Sequence, residues 1–146
     1  MLETPHVALG AAIAIAIPNP IISIPLAFAS HFLLDMTPHW NPHINTEMKK
    51  FGKLANQTLF IIGLDLASAV LLTIFIGKTD INVYLASFAA ILPDLAEGPY
   101  FLFGWRNKYL DTVLRLQRSI QASTDIFWGL LTQVIVLAAS LYWVTL

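Results

Sequence analysis

Between Leu54 and Ile76 the chain carries a single charged residue, Asp65. A helix needs about 20 mostly apolar residues to cross about 30 Å of hydrocarbon, and this run supplies them. Two further stretches have the same character. Ile81 to Glu97 is continued by the aromatic run Tyr100-Phe101-Leu102-Phe103-Gly104-Trp105, with a helix break predicted at Gly98-Pro99, and Ile126 to Leu146 closes the sequence. Two shorter runs come first, Val7 to Ile17 and Ile21 to Met36, separated by Pro18-Asn19-Pro20. Each is too short for an upright span, which predicts a tilted or re-entrant hairpin. With 57% hydrophobic and 12% charged residues in 146, there is more apolar surface than one soluble core hides, so a bilayer is the expected solvent. The expected fold is an all-α, polytopic integral membrane bundle of about five helical segments with a short N-terminal helical hairpin. No linker divides the chain, so residues 1–146 are expected to form one transmembrane domain. An amphipathic piece from Asn107 to Ser123 leads into the last span.

Basic residues orient this bundle. Lys49, Lys50 and Lys53 lie between the second and third runs, and Arg106, Lys108, Arg115 and Arg118 between the fourth and fifth; only Lys78 lies opposite. The positive-inside rule places loops 38–53 and 104–119 in the cytoplasm and Lys78-Thr79-Asp80 and Leu146 outside. Glu3 stands where a secretory signal needs a basic residue, so the first apolar run is expected to be retained. A net charge of −1 without a basic stripe argues against nucleic acid as a partner. Because the chain has no cysteine, any transition metal must be held by imidazole and carboxylate.

In that topology the histidines converge with most of the intramembrane carboxylates at the cytoplasmic face. All four histidines fall within residues 1–43, and three follow proline, in Thr4-Pro5-His6, Thr37-Pro38-His39 and Asn41-Pro42-His43. Random placement would give about 0.2 such pairs. Thr or Asn followed by Pro is a helix-start pattern that would set each histidine in a first turn. His31 and Asp35 are four apart and share a helix face, as do Asp94 and Glu97, three apart after Pro93. Carboxylates in apolar sequence are costly and normally pair or bind something, which makes a divalent cation the expected partner. The candidate ligands are His6, His31, Asp35, His39, His43 and Asp94. For any one histidine the plainer alternative is an interfacial hydrogen bond, and Glu97 can equally end its helix.

Asp65, near the middle of its span, has His31 as its candidate partner, either orienting the ring or making a plain interhelical hydrogen bond. Gln117, Gln121, Asp125 and Gln133, with Gly129 between, form a polar and small stripe. It can line the site; the favoured reading is that Ser123-Thr124-Asp125 caps a helix and the glutamines face water. Arg115 and Arg118 are candidates to hold a phosphate, or to meet lipid headgroups and water.

His6 followed by Gly10, the run Ser30-His31-Phe32-Leu33-Leu34-Asp35 with Pro38-His39, and Leu92-Pro93-Asp94 together resemble the membrane-bound, predicted metal-dependent hydrolases whose best-known members are LexA-regulated. The resemblance covers about the first 100 residues. Downstream, where such proteins often have an Arg-Thr-His-Ser-like element, this chain has Arg118-Ser119 and no histidine. What the resemblance implies is a bound metal and a hydrolase.

The first expected function is a metal-dependent hydrolase of a phosphoester, lipid or another amphiphile, reached from the cytoplasmic leaflet of a bacterial or archaeal cytoplasmic membrane. The divalent metal, with zinc the expected ion, would activate water, and Glu97 or Asp65 would act as general base or orient a ligand. The alternative is a non-enzymatic membrane protein in which the cluster is a structural ion site or part of a transport pathway. As a transporter, a chain this short would need to form a homo-oligomer.

Overall fold

Seven α-helices and no sheet make up the chain in a computed structural model that describes all residues, Met1–Leu146. They are α1 (Glu3–Ala16), α2 (Pro20–Asp35), α3 (Ile44–Phe51), α4 (Asn56–Gly77), α5 (Ile81–Phe103), α6 (Lys108–Ile120) and α7 (Ile126–Val144). The five apolar runs of the sequence become α1, α2, α4, α5 and α7, and the amphipathic piece becomes α6. The short amphipathic α3, between the second and third runs, is an addition to that reading.

Local chemistry sets the ends. Asn19 accepts from Ile21 N with Pro20 at the first helical position of α2, and Asp80, Asn107 and Asp125 cap α5, α6 and α7 with their side-chain oxygens. Gly98-Pro99 does not break α5, which runs on to Phe103. The true stop is Gly104, left-handed at φ +67°, whose N–H reaches back to the carbonyls of Pro99 and Tyr100. Proline removes only its own N–H, and the helix around it survives where the flanking turns are held. Between α3 and α4, Glu47 accepts from Ala55 N at 2.8 Å and from the Thr58 hydroxyl at 2.7 Å, and these bonds draw its pKa below the ordinary value.

Helix α1 is the hub, packed against α2, α4, α5 and α7, while α2 and α5 close on each other. Small residues make this possible: Ala11, Ala14, Ala27, Val83, Ala86 and Ala90 form the main buried cluster. Gly10 lies so close to α5 that a Cβ there would meet the Ala86 carbonyl oxygen at 2.8 Å. Away from the histidines the bundle is tied by polar bonds, with Ser23 Oγ donating to Asn82 Oδ1 at 2.9 Å and Asn82 Nδ2 donating to the carbonyls of Ala14 and Pro18.

Two helices, α4 and α7, are long and apolar enough to cross a membrane, and both leave most of their surface outside the bundle. Phe75 is 77% exposed and Phe127 67% exposed. Apolar surface on that scale marks a lipid or protein contact. At 14 and 16 residues, α1 and α2 are shorter than a span. Their depth relative to the long helices is nevertheless fixed. The start of α1 is bonded to Asp65, nine residues into α4, and to Gln133, seven residues into α7. At about 1.5 Å per residue, α1 therefore begins about 14 Å along α4 and about 10 Å along α7.

Candidate metal site

The start of α1, the ends of α2 and α6, the middle of α5 and two connecting segments build the site. The start of α1 has no cap of its own: Leu2 precedes it and makes no side-chain capping bond. Asp65 supplies the cap from α4, accepting from Glu3 N at 2.6 Å, Thr4 N at 3.2 Å and the Thr4 hydroxyl at 2.7 Å. Leu2 N donates to Gln133 Oε1 at 2.8 Å. So anchored, the first turn of α1 presents His6 to the end of α2, which carries His31 and Asp35, and to Asp94 of α5.

His31 Nδ1 donates to the Ala90 carbonyl at 2.8 Å, which fixes its tautomer and leaves the Nε2 lone pair facing the cluster. His39 repeats the device from a loop, with Nδ1 donating to the Thr37 carbonyl at 2.8 Å and Asn41 Nδ2 donating to Nε2 at 3.3 Å. Burial pushes the His39 pKa below its ordinary value. Its backbone is pinned as well: His39 N donates to the Ala122 carbonyl, Thr124 N to the His39 carbonyl and Ala122 N to the Asp35 carbonyl, all at 2.9–3.0 Å.

Asp35 is the centre. Its Oδ1 lies 3.4 Å from His6 Nε2 and 3.8 Å from His39 Nε2, and its Oδ2 lies 3.6 Å from His31 Nε2. His31 Nε2 is 3.5 Å from Asp94 Oδ1. The α-amino group of Met1 also contacts Asp35. His6, His31 and Asp35 are fully buried and His39 is 1% exposed. Both ring nitrogens of His6 and the Nε2 of His31 have no hydrogen-bond partner, an uncommon condition for buried polar atoms. The separations of 3.4–3.8 Å exceed hydrogen-bond lengths. A tetrahedron of donors about 2.0–2.1 Å from a common centre has an edge of about 3.4 Å, which the His6–Asp35 and His31–Asp94 separations approach and the His39–Asp35 separation exceeds. One donor atom from each of His6, His31 and Asp94 lies within 4.8 Å of the others, a group that could hold a metal ion.

Of the sequence candidates, His6, His31, Asp35, His39 and Asp94 come together, and His43 does not. His43 is exposed and forms the N-cap residue of α3. The Pro-His helix-start pattern places only His6 in a first turn. Around His39, two nearby prolines leave a non-helical segment that bonds to residues 122–124 instead. Asp65 is bonded to the start of α1 rather than to His31, because the unsatisfied N–H groups there are the stronger claim on a half-buried carboxylate. Glu97 is buried one turn beyond Asp94, with Oε1 unpartnered.

The glutamines were expected to face water, and they face the site. Gln117 Nε2 donates to Asp94 Oδ1 at 2.8 Å, and Gln121 Nε2 to Asp35 Oδ2 at 3.3 Å. Gln133 Nε2 donates to the Trp40 carbonyl at 2.8 Å. Asp125 caps α7 as its sequence position implied. Gly129 explains the break in the polar stripe: the backbone of Trp40 and His39 lies where a Cβ would stand.

The placement of Asp65 yields a first prediction. Asp65→Ala is expected to cost about 1–2 kcal/mol, the usual range for a lost N-cap, and to increase amide exchange at Glu3 and Thr4. Unchanged exchange at those two amides would contradict the capping role.

Compared with known protein families, curated proteins and solved structures, the chain matches none.

Proposed function

We propose that this chain is a membrane-embedded, metal-dependent hydrolase that cleaves a phosphoester, with zinc the favoured ion. The observation that carries the reading is the set of unpartnered imidazole nitrogens of His6 and His31, buried against Asp35 and Asp94. In this reading His6, His31, Asp35, His39 and Asp94 are the available ligands, and the resemblance of the His31–Asp35 run and of Leu92-Pro93-Asp94 to predicted membrane hydrolases agrees with it. A bound divalent ion would supply an activated water and polarise a phosphoryl oxygen. The chain's own contribution is to hold the His31 imidazole in the Nε2-accepting tautomer, to aim the carboxylates through Gln117 and Gln121, and to offer the free Glu97 oxygen as proton acceptor. The recessed start of α1 supports an amphiphilic substrate, because a site about 10–14 Å along the flanking spans lies within reach of lipid. The test is metal-dependent turnover in a screen of lipid and soluble phosphoesters, with Asp94→Asn as the inactive comparison. No metal-dependent turnover in that screen would remove the enzymatic reading.

One contact favours a second reading, a structural cluster in a non-enzymatic membrane protein. The Met1 amino group beside Asp35 supplies positive charge to the buried carboxylate without any ion.

The orientation proposed with this function puts loops 38–53 and 104–119, and the site, on the cytoplasmic side. Single cysteines introduced at Lys50 and Lys108 should label from inside, and one at Thr79 from outside. Labelling of Lys50 and Lys108 from opposite sides would sink this topology.

A further inference from the structure

Beside the histidine cluster, where the end of α5 meets α6, lies a cavity of about 190 Å³ lined by Tyr100, Arg106, Asp111, Leu114, Arg115 and Arg118. It is smaller than the roughly 300 Å³ at which pockets begin to take drug-sized ligands, so its natural occupant is a compact group. Charge inside it is unbalanced. Three guanidinium groups face one carboxylate, and Asp111 is engaged by Arg106 at 3.2 Å. Neither Arg115 nor Arg118 has a carboxylate partner within ion-pair distance, and Arg118 Nε is buried with no hydrogen-bond partner at all. The pocket wall is ordered by the Tyr100 ring, which has the Arg106 guanidinium 5.7 Å and the Arg118 guanidinium 6.0 Å from its centroid. An orphaned, buried guanidinium N–H in a cavity with surplus positive charge calls for an oxyanion that accepts from several donors at once.

Helix α6 joins this pocket to the histidine cluster. Asp111, Leu114, Arg115 and Arg118 recur at helical spacing along one face, while the neighbouring Gln117 donates to Asp94. Glu97, with its free Oε1, lies within electrostatic reach of both Asp94 and Arg118. We propose that the α5–α6 pocket is a phosphate-binding subsite, in which Arg115 and Arg118 hold the terminal phosphate of an anionic amphiphile or a free phosphate ion. The proposal rests on the phosphoester reading for the identity of its ligand and on the pocket alone for binding.

The experiment titrates full-length protein in neutral detergent with inorganic phosphate in one arm and with phosphatidate-doped micelles in the other, read by intrinsic tryptophan fluorescence. Arg118→Gln and Arg115→Gln should each weaken binding about tenfold or more. Arg118→Lys should recover part of the loss while keeping the melting temperature of the wild type, and Lys50→Gln should bind as the wild type does. Arginine-dependent binding of phosphatidate alone assigns the headgroup as the source, and of inorganic phosphate alone the free ion. Binding in neither arm, or equal weakening by Lys50→Gln, overturns the subsite. The two readings separate: arginine-dependent binding without any turnover leaves the subsite standing and the hydrolase fallen, and turnover with unweakened binding in Arg118→Gln does the reverse.

Discussion

Purified with zinc supplied, the wild-type protein is expected to retain about one divalent ion per chain, and His31→Ala to retain less than about a tenth of that. His31 is the ligand candidate whose geometry is best determined. Its Nδ1 is committed to the Ala90 carbonyl at 2.8 Å, and its Nε2 lies 3.5 and 3.6 Å from the two carboxylates. Removing the ring leaves His6 and His39 joined only through Asp35 Oδ1, and leaves Asp35 and Asp94 without the imidazole that lies between them. His43→Ala should retain the ion, since His43 stands exposed at the start of α3. Stability reports the same event independently. An ion bound only by the folded state adds about 2.7 kcal/mol when its free concentration is about 100 times the dissociation constant. Chelation should therefore lower the melting temperature of the wild type by several degrees and scarcely move that of the His31→Ala, Asp35→Ala double variant. Wild-type protein without stoichiometric ion after supplementation would defeat this expectation.

The second large effect concerns Asp94. Asp94→Asn keeps the shape of the side chain, and its carbonyl oxygen can still accept from Gln117 Nε2, now 2.8 Å from Oδ1. Only the charge is lost. Under the hydrolase reading, metal-dependent phosphoester turnover should fall by about 100-fold or more, together with weaker ion binding, because the charge both holds the ion and balances the imidazoles. Asp80→Asn is the matched comparison. Asp80 caps α5 at the opposite end of the bundle, and asparagine serves as well there, so that variant should match the wild type in ion content and turnover. Glu97→Gln separates binding from chemistry, with the ion retained and turnover lost. Equal ion content and turnover in Asp94→Asn and Asp80→Asn would mean that Leu92-Pro93-Asp94 has no part in the reaction.

Much of this arrangement was legible from local spacing. His31 and Asp35 share a face because four residues make about one turn, and the apolar runs mark five of the seven helices. What sequence spacing could not carry were choices between partners distant along the chain. Asp65 has no local donor, and only the tertiary fold brings the start of α1 to it across 61 residues. The glutamine stripe at 117, 121 and 133 has the spacing of a helix face, but its direction depends on the turn at 121–125 bonding to Asp35 and His39. Gly98-Pro99 shows the opposite case, a strong local stop signal that the surrounding helix overrides.

The bond from Leu2 N to Gln133 Oε1 joins positions 131 residues apart, and it sits next to the site. It imposes an order on synthesis. When α1 and α2 have left the ribosome, His6, His31 and Asp35 have been made, yet Asp94 and the glutamines of α6 and α7 have not. The α1–α2 hairpin must wait for its long-range polar partners until α7 is made, because contacts this far apart cannot reward the chain early. The centre is thus complete only once α7 has been made, and a chain stalled before α7 would leave this polar cluster unfinished.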